Sequence, residues 1–292
     1  MWVLLVSVAF LLIGWGIVSS QRLLYPPRQA SPITSSLVTS LGSPPDVDTI
    51  TTFDHASCEV WTLSPQAPRA LLLFCHGYFA SHLQVVDLAR RLAARGYACA
   101  LFDLRGHGSR PGPCTFGADE AKDALSILTW AAARRPYEAL PRGVIGWSMG
   151  GSVACQVALR GADVRAVVLD STYARFFPLL QRGIWREYHL PGIPFAWVTW
   201  WSVQMRIQRR LAGLDPIAVA PQLHQPLLSI AGGADQRVET PWSEALYQRW
   251  AGSKERWFDP TAAHVSVYAK DPQAYAERVA AFLDRALWTM PR

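Results

Sequence analysis

Charged residues are scarce in this chain: Asp, Glu, Lys and Arg make up only 17% of its 292 residues, while half of the residues are apolar. A soluble domain ordinarily carries about 25% charge, so the deficit demands either a large core or contact with lipid. Cysteine is sparse and poorly placed for metal. The five residues are an odd number without metal-type spacing, and Cys75, Cys99 and Cys155 sit inside apolar runs where free thiols are commonly buried. Only Cys58 and Cys114 stand free enough to pair, and nothing requires it. Repeats, low-complexity tracts and nucleic-acid-binding motifs are also missing. The net charge of +6 comes from scattered basic residues, which argues against a nucleic-acid partner and fits attraction to anionic lipid better.

What is abundant is tryptophan, with 13 residues, and an apolar start. From Trp2 to Val18 there is no charge, and a helix of this length reaches roughly 26 Å, about the thickness of a bilayer core. Residues 1–20 are expected to form a single transmembrane anchor, whose deletion would release active protein. The competing reading is a secretory signal peptide cleaved between Ser20 and Gln21; the missing basic residues before the apolar run and its length count against it. Arg22 and Arg28 follow the run and nothing basic precedes it. The positive-inside rule then puts the globular part on the cytoplasmic side, though two arginines leave the membrane face open. Residues 21–50, rich in Pro and Ser from Tyr25 to Pro45, read as a linker.

Residues 51–292 read as one α/β domain. Apolar runs at Val60–Leu63, Arg69–Cys75, Tyr97–Asp103, Gly143–Trp147, Val164–Asp170 and Leu227–Ala231, with a short one near Arg256–Phe258, predict strands. Amphipathic stretches at Leu83–Arg95, Ala118–Arg134, Gly150–Leu159, Trp242–Trp250 and Gln273–Leu287 predict helices between them. Alternation without hairpin signals implies a mostly parallel central sheet flanked by helices, with ligands at the carboxyl ends of its strands. The alternation fails at about 174–214, where Trp185, Trp197, Trp200 and Trp201 lie beside Arg182, Arg186, Arg206, Arg209 and Arg210. This stretch is expected to be an inserted helical lid.

Gly146-Trp147-Ser148-Met149-Gly150 matches G-x-S-x-G, and its context gives it weight: an apolar strand runs into it and an amphipathic helix leaves it, as a nucleophile elbow requires. Ser148 is the expected nucleophile. A serine hydroxyl needs a base, and the base needs an orienting acid. Asp235 follows a strand within Gly232-Gly233-Ala234-Asp235, and His264 lies ahead of the last helix, in the chain order Ser, acid, His. Asp170 also ends a strand and is the alternative acid. His76 and His107 precede glycines in tight turns and are expected to be structural; His55, His82, His189 and His224 are expected at the surface or in the lid. The N–H groups of Met149 and Tyr78 are the expected oxyanion donors, the second presented by His76-Gly77-Tyr78-Phe79. Tyr78 has the alternative role of a pocket wall. Asp103 heads Asp103-Leu104-Arg105-Gly106-His107-Gly108, a turn expected to brace the site.

Through His76-Gly77-Tyr78, the turn from Asp103 to Gly108, the motif around Ser148, Asp235 and His264, the chain resembles the α/β-hydrolase superfamily over about Thr51 to Leu287. Within it, the chain looks most like the lysophospholipase, monoacylglycerol-lipase and serine-aminopeptidase branch, including membrane-anchored members. The resemblance implies the α/β-hydrolase fold with a lid and hydrolysis of esters, thioesters or amides without a cofactor or metal. Two residues depart from the pattern: Tyr78 stands where a smaller residue is usual, and Ala262-Ala263 precede His264 where Gly is common. The anchor and the tryptophan-rich lid point to membrane-partitioning acyl esters as small-molecule substrates. A peptidase or amidase of the serine aminopeptidase type is the alternative, although the lid offers no acidic cluster to hold a substrate amine, only Glu187. A non-catalytic binding protein on the same fold is a third reading, disfavoured by the retained Ser, Asp and His.

Overall fold

The computed structural model describes residues 2–28, 34, 39, 41–42, 44–161 and 163–288. Eight strands form one sheet in the order β1-β2-β4-β3-β5-β6-β7-β8. They are β1 (Asp46–Thr51), β2 (Ser57–Leu63), β3 (Ala70–Cys75), β4 (Tyr97–Phe102), β5 (Arg142–Trp147), β6 (Val164–Asp170), β7 (Leu227–Gly232) and β8 (Lys254–Asp259). The six strands from β3 to β8 are parallel to their neighbours.

The exception is the first edge, where β1 pairs antiparallel with β2 and β2 antiparallel with β4. The hairpin between β1 and β2 was not expected, because Asp46-Val47-Asp48-Thr49-Ile50-Thr51 is an edge strand with only Ile50 buried and shows no apolar run. Part of the stretch read as linker is therefore sheet. Much of the rest of Tyr25–Pro45 lies outside the described residues.

Both faces of the sheet are covered, which is why the central strands are near-continuous apolar runs, β3 and β4 without a single polar side chain but the Tyr97 hydroxyl. Leu71, Leu73, Val144, Val167 and Leu169 pack on one side. Leu72, Phe74, Ile145, Val168, Leu228 and Ile230 pack on the other. The crossovers are helices α2 (Val86–Ala93), α3 (Asp119–Ala132), α4 (Met149–Arg160) and, after β7, α7 (Thr240–Arg249); α8 (Pro272–Ala286) closes the chain. Between β6 and β7 the expected insertion contains α5 (Phe176–Tyr188) and α6 (Gly192–Ile207).

The apolar start is helix α1 (Trp2–Leu24). It is the one helix among the described residues long and apolar enough to cross a membrane. Its first half is exposed, and its second half lies parallel to α6. Trp15 Nε1 donates to Thr199 Oγ1 at 2.9 Å, Ser19 Oγ lies 2.7 Å from Thr199 Oγ1, and Ser20 Oγ lies 2.9 Å from Ser202 Oγ. Small residues permit this approach. A Cβ on Gly16 would come within 2.7 Å of Val198 Cγ1.

Candidate active site

Strand register decides what meets at the carboxyl edge. Cys75 is paired with Gly146, Trp147 with Asp170, and Asp170 with Ile230. The chain segments leaving β3, β5, β6 and β7 therefore start level with one another, and each carries one of the expected residues.

Ser148 sits at the tip of the turn between β5 and α4 with φ 53° and ψ −113°. Such a sparsely populated positive-φ conformation costs a non-glycine residue about 1–3 kcal/mol. The surrounding packing enforces it. A Cβ on Gly146 would collide with the Gly150 carbonyl, and one on Gly150 with the carbonyls of Cys75 and His76. Only glycines let β5, α4 and the end of β3 approach so closely, and that approach pushes the serine side chain out of the turn.

His264 reaches Ser148 from the loop after β8. Its Nε2 lies 2.9 Å from Ser148 Oγ, and its Nδ1 lies 2.7 Å from Asp235 Oδ2. The Asp235 side chain is nearly inaccessible, whereas that of His264 keeps 17% exposure. The second carboxylate oxygen, Asp235 Oδ1, accepts the N–H groups of Arg237 and Val238 at 2.8 and 2.9 Å. These bonds hold the carboxylate in one orientation, so a neutral imidazole carries its proton on Nδ1 and leaves Nε2 free to accept from the serine.

Met149 opens α4, where an N–H has no intrahelical acceptor. The Tyr78 N–H likewise donates to no acceptor among the described residues. Its loop is locked from below: the Gly77 N–H donates to Gln84 Oε1 at 2.7 Å, and His76 Nε2 accepts the Leu104 N–H at 2.9 Å. Since Nε2 accepts, Nδ1 carries the His76 proton and donates to the Gly77 carbonyl at 2.8 Å. Burial pushes the His76 pKa down to about 4, so the ring stays neutral.

Asp103 does brace this region. It accepts the Ser109 N–H at 2.7 Å and the His82 N–H at 2.8 Å, with His82 Nδ1 at 2.9 Å. His82 is thus a buried partner of Asp103, not a surface residue. The expectation failed because a polar residue in a loop gives no sign of the carboxylate it will meet. His55, His189 and His224 are exposed. His107 is buried, with Nδ1 on the Arg105 carbonyl at 2.8 Å. All five cysteines, Cys58 and Cys114 included, are buried and free.

Asp170 does not contact His264. Tyr275 Oη donates to its Oδ2 at 2.8 Å and Ser171 Oγ to its Oδ1 at 2.9 Å. Ser171 Oγ in turn accepts the Val265 N–H at 3.0 Å, next to His264. Neither Ser171 nor Tyr275 was singled out in the sequence. The available signal was a serine directly after a strand-ending aspartate.

The description serine aminopeptidase, S33, belongs to the family whose sequence model matches residues 66–190. The chain is similar to the uncharacterized protein YqkD of Bacillus subtilis (strain 168), at 25% identity over 76% of this chain and 73% of the relative. A shorter segment resembles a pimeloyl-[acyl-carrier protein] methyl ester esterase of Chromobacterium violaceum, at 37% identity over 38% of this chain and 39% of that protein. Among solved structures, the Pyrococcus furiosus esterase Pf2001 superposes with a TM-score of 0.76 at 25% identity, covering 91% of this chain and 98% of that one. The chain has the α/β-hydrolase fold and is by class a serine hydrolase.

Proposed function

We propose that the protein hydrolyses carboxylic esters or thioesters, with Ser148, His264 and Asp235 as its triad and the N–H groups of Tyr78 and Met149 as its oxyanion donors. The observation that carries the reading is the continuous relay from Ser148 Oγ to His264 Nε2 at 2.9 Å and from His264 Nδ1 to Asp235 at 2.7 Å. The esterases among the relatives support the choice of an ester over other acyl bonds.

In this mechanism Ser148 Oγ attacks the acyl carbon as His264 Nε2 takes its proton. The carbonyl oxygen becomes an oxyanion facing the two N–H groups, helped by the positive end of α4. The imidazolium, steadied by Asp235, returns the proton to the leaving alcohol or thiol as the bond to it breaks. Water then attacks the acyl-Ser148 ester, giving its proton to His264. Collapse of the second intermediate frees the acid and restores Ser148.

Helix α1 is read as a membrane anchor. Its 23 residues reach roughly 34 Å, enough to cross a hydrocarbon core. An apolar surface on α6 adjoins it. Trp197, Trp201 and Met205, four residues apart, are exposed, with exposed Ile193 ahead of them. No charge occurs from Gly192 to Met205, and Arg206, Arg209 and Arg210 follow. This arrangement suits a lid resting at the membrane surface. Acyl chains dissolved in lipid are the matching substrates.

The test is labelling by a fluorophosphonate, which esterifies an activated serine. Wild-type protein should label and Ser148→Ala should not; labelling that survives the substitution refutes the assignment of Ser148. The S33 match favours a second reading, a peptidase or amidase using the same triad. Turnover of p-nitrophenyl esters of short and long chains, set against aminoacyl anilides, separates the two. Turnover of anilides alone would replace the esterase reading.

A further inference from the structure

Helix α1 ends directly against the loop that carries Tyr78. A helix leaves its last four carbonyls without intrahelical donors, and here the terminal carbonyls are satisfied. The Gln21 carbonyl accepts the Tyr25 N–H at 3.0 Å, and the Leu24 carbonyl accepts the Cys114 N–H at 2.7 Å. The Tyr78 hydroxyl donates to the Leu23 carbonyl at 2.8 Å, with the Arg22 carbonyl at 3.4 Å. The Leu24 side chain is 1% exposed, packed into the core of the domain.

The tyrosine ring is confined as well. It meets Phe79 and His107 edge-on at 4.3 and 5.2 Å, and stacks on Phe116 at 6.0 Å. Phe116 lies 4.3 Å from Phe176 of the lid, which stacks on Trp200 of α6 at 5.9 Å. Burial raises the pKa of the phenol above its ordinary range, so the hydroxyl remains a donor. The backbone N–H of Tyr78 has no acceptor among the described residues, while its side chain grips the end of α1. A smaller residue at this position has no such reach.

We propose that α1 is a positioning element of the active site, holding the oxyanion loop in place through the Tyr78 hydroxyl and the Leu23 carbonyl. Resting on the function proposed above, this assignment makes Tyr78 a positioning residue through its side chain and a catalytic one through its N–H. An oxyanion donor works only within a few tenths of an ångström of the place where charge develops, so a bond that immobilises the loop acts on turnover rather than on substrate binding. A dispensable tether would make none of these contacts.

The experiment uses the full chain in detergent micelles and compares wild type with Tyr78→Phe, Gly16→Leu and Leu4→Ala. Tyr78→Phe removes the donor. Gly16→Leu, far along the helix, displaces α1 from Val198 without touching the loop. Leu4→Ala alters only the exposed far end of α1. Three quantities are read: hydrogen exchange over residues 76–81, kcat and KM for a short p-nitrophenyl ester, and the Ki of a phenylboronic acid, whose tetrahedral adduct directs an oxygen at the two donors.

Tyr78→Phe and Gly16→Leu should each speed exchange in 76–81, lower kcat about tenfold, leave KM within about twofold and weaken boronate binding in parallel. Leu4→Ala should match wild type. Wild-type exchange and kcat in the first two variants overturn the proposal. So does exchange accelerated throughout the domain, or a loss confined to KM, either of which would mark Tyr78 as ordinary packing. If wild type turns over no ester, the proposed function fails; the exchange measurement then decides the clamp, and unchanged exchange in 76–81 refutes it.

Discussion

The N–H of Ser148 donates to the carbonyl of Asp170 at 2.8 Å. Ser148, the proposed nucleophile, and the strand-ending residue Asp170 are therefore joined through the backbone, although the Asp170 carboxylate itself points away, to Tyr275 and Ser171. Asp170 ends β6 and Asp235 lies in the loop that leaves β7, yet only Asp235 reaches the imidazole.

That geometry separates two substitutions that look alike. Asp235→Asn should lower kcat by about 10³- to 10⁴-fold, because an amide in place of the carboxylate favours the wrong imidazole tautomer and leaves the imidazolium without its partner. Asp170→Asn keeps the strand carbonyl that Ser148 uses and should lower kcat by less than about tenfold. Steady-state rates on one ester suffice, and the reverse ranking would move the acid role to Asp170.

Asp170 is also expected to leave a mark on stability. Burial pushes its pKa from 3.8 up to about 6. Between those values the folded protein holds a proton that the unfolded chain releases. The stabilisation is complete below about pH 4 and disappears as pH rises to about 6, roughly 3 kcal/mol in all. Asp170→Asn carries no charge at any pH, so its urea midpoint should fall less than that of wild type between pH 4 and 7. Part of the slope should remain in both proteins, since burial also pushes Asp215 up to about 6. Parallel profiles would show that Asp170 stays ionised.

Gly150→Ala tests the packing of the elbow. The added methyl would meet the backbone carbonyls of Cys75 and His76, which have no side-chain freedom with which to yield. Destabilisation of about 3 kcal/mol or more is expected, read as a lowered urea midpoint together with lost fluorophosphonate labelling. A variant with wild-type stability and labelling would show that β3 and α4 have room to separate.

The exposed face of α6 predicts a dependence on how substrate is presented. Trp197→Ser combined with Trp201→Ser should cut kcat/KM about tenfold for a long-chain ester dissolved in lipid vesicles. Hydrolysis of a soluble acetate ester should be unchanged. Equal effects on both substrates would mean that these rings organise the lid itself.

Much of this protein can be read from the order of its residues. Apolar runs of strand length, separated by amphipathic stretches, specify the parallel sheet, because central strands covered on both faces are apolar along most of their length. Ser148 was recognisable from its flanking strand and helix, and Asp235 and His264 from their positions after late strands. Such signals are local: each depends on a few consecutive residues and the backbone they require. The hairpin of β1 was hidden because an edge strand half in water needs no apolar run.

Tertiary structure decided the rest, and for one physical reason: the partners are distant in sequence. Nothing near Asp170 or Asp235 indicates which of them meets His264; strand register and the orientation of each side chain choose. His82 finds Asp103 21 residues away. The apolar start of the chain announced a helix of membrane-spanning length, and no sequence rule placed its final carbonyls beneath the hydroxyl of Tyr78, 55 residues on.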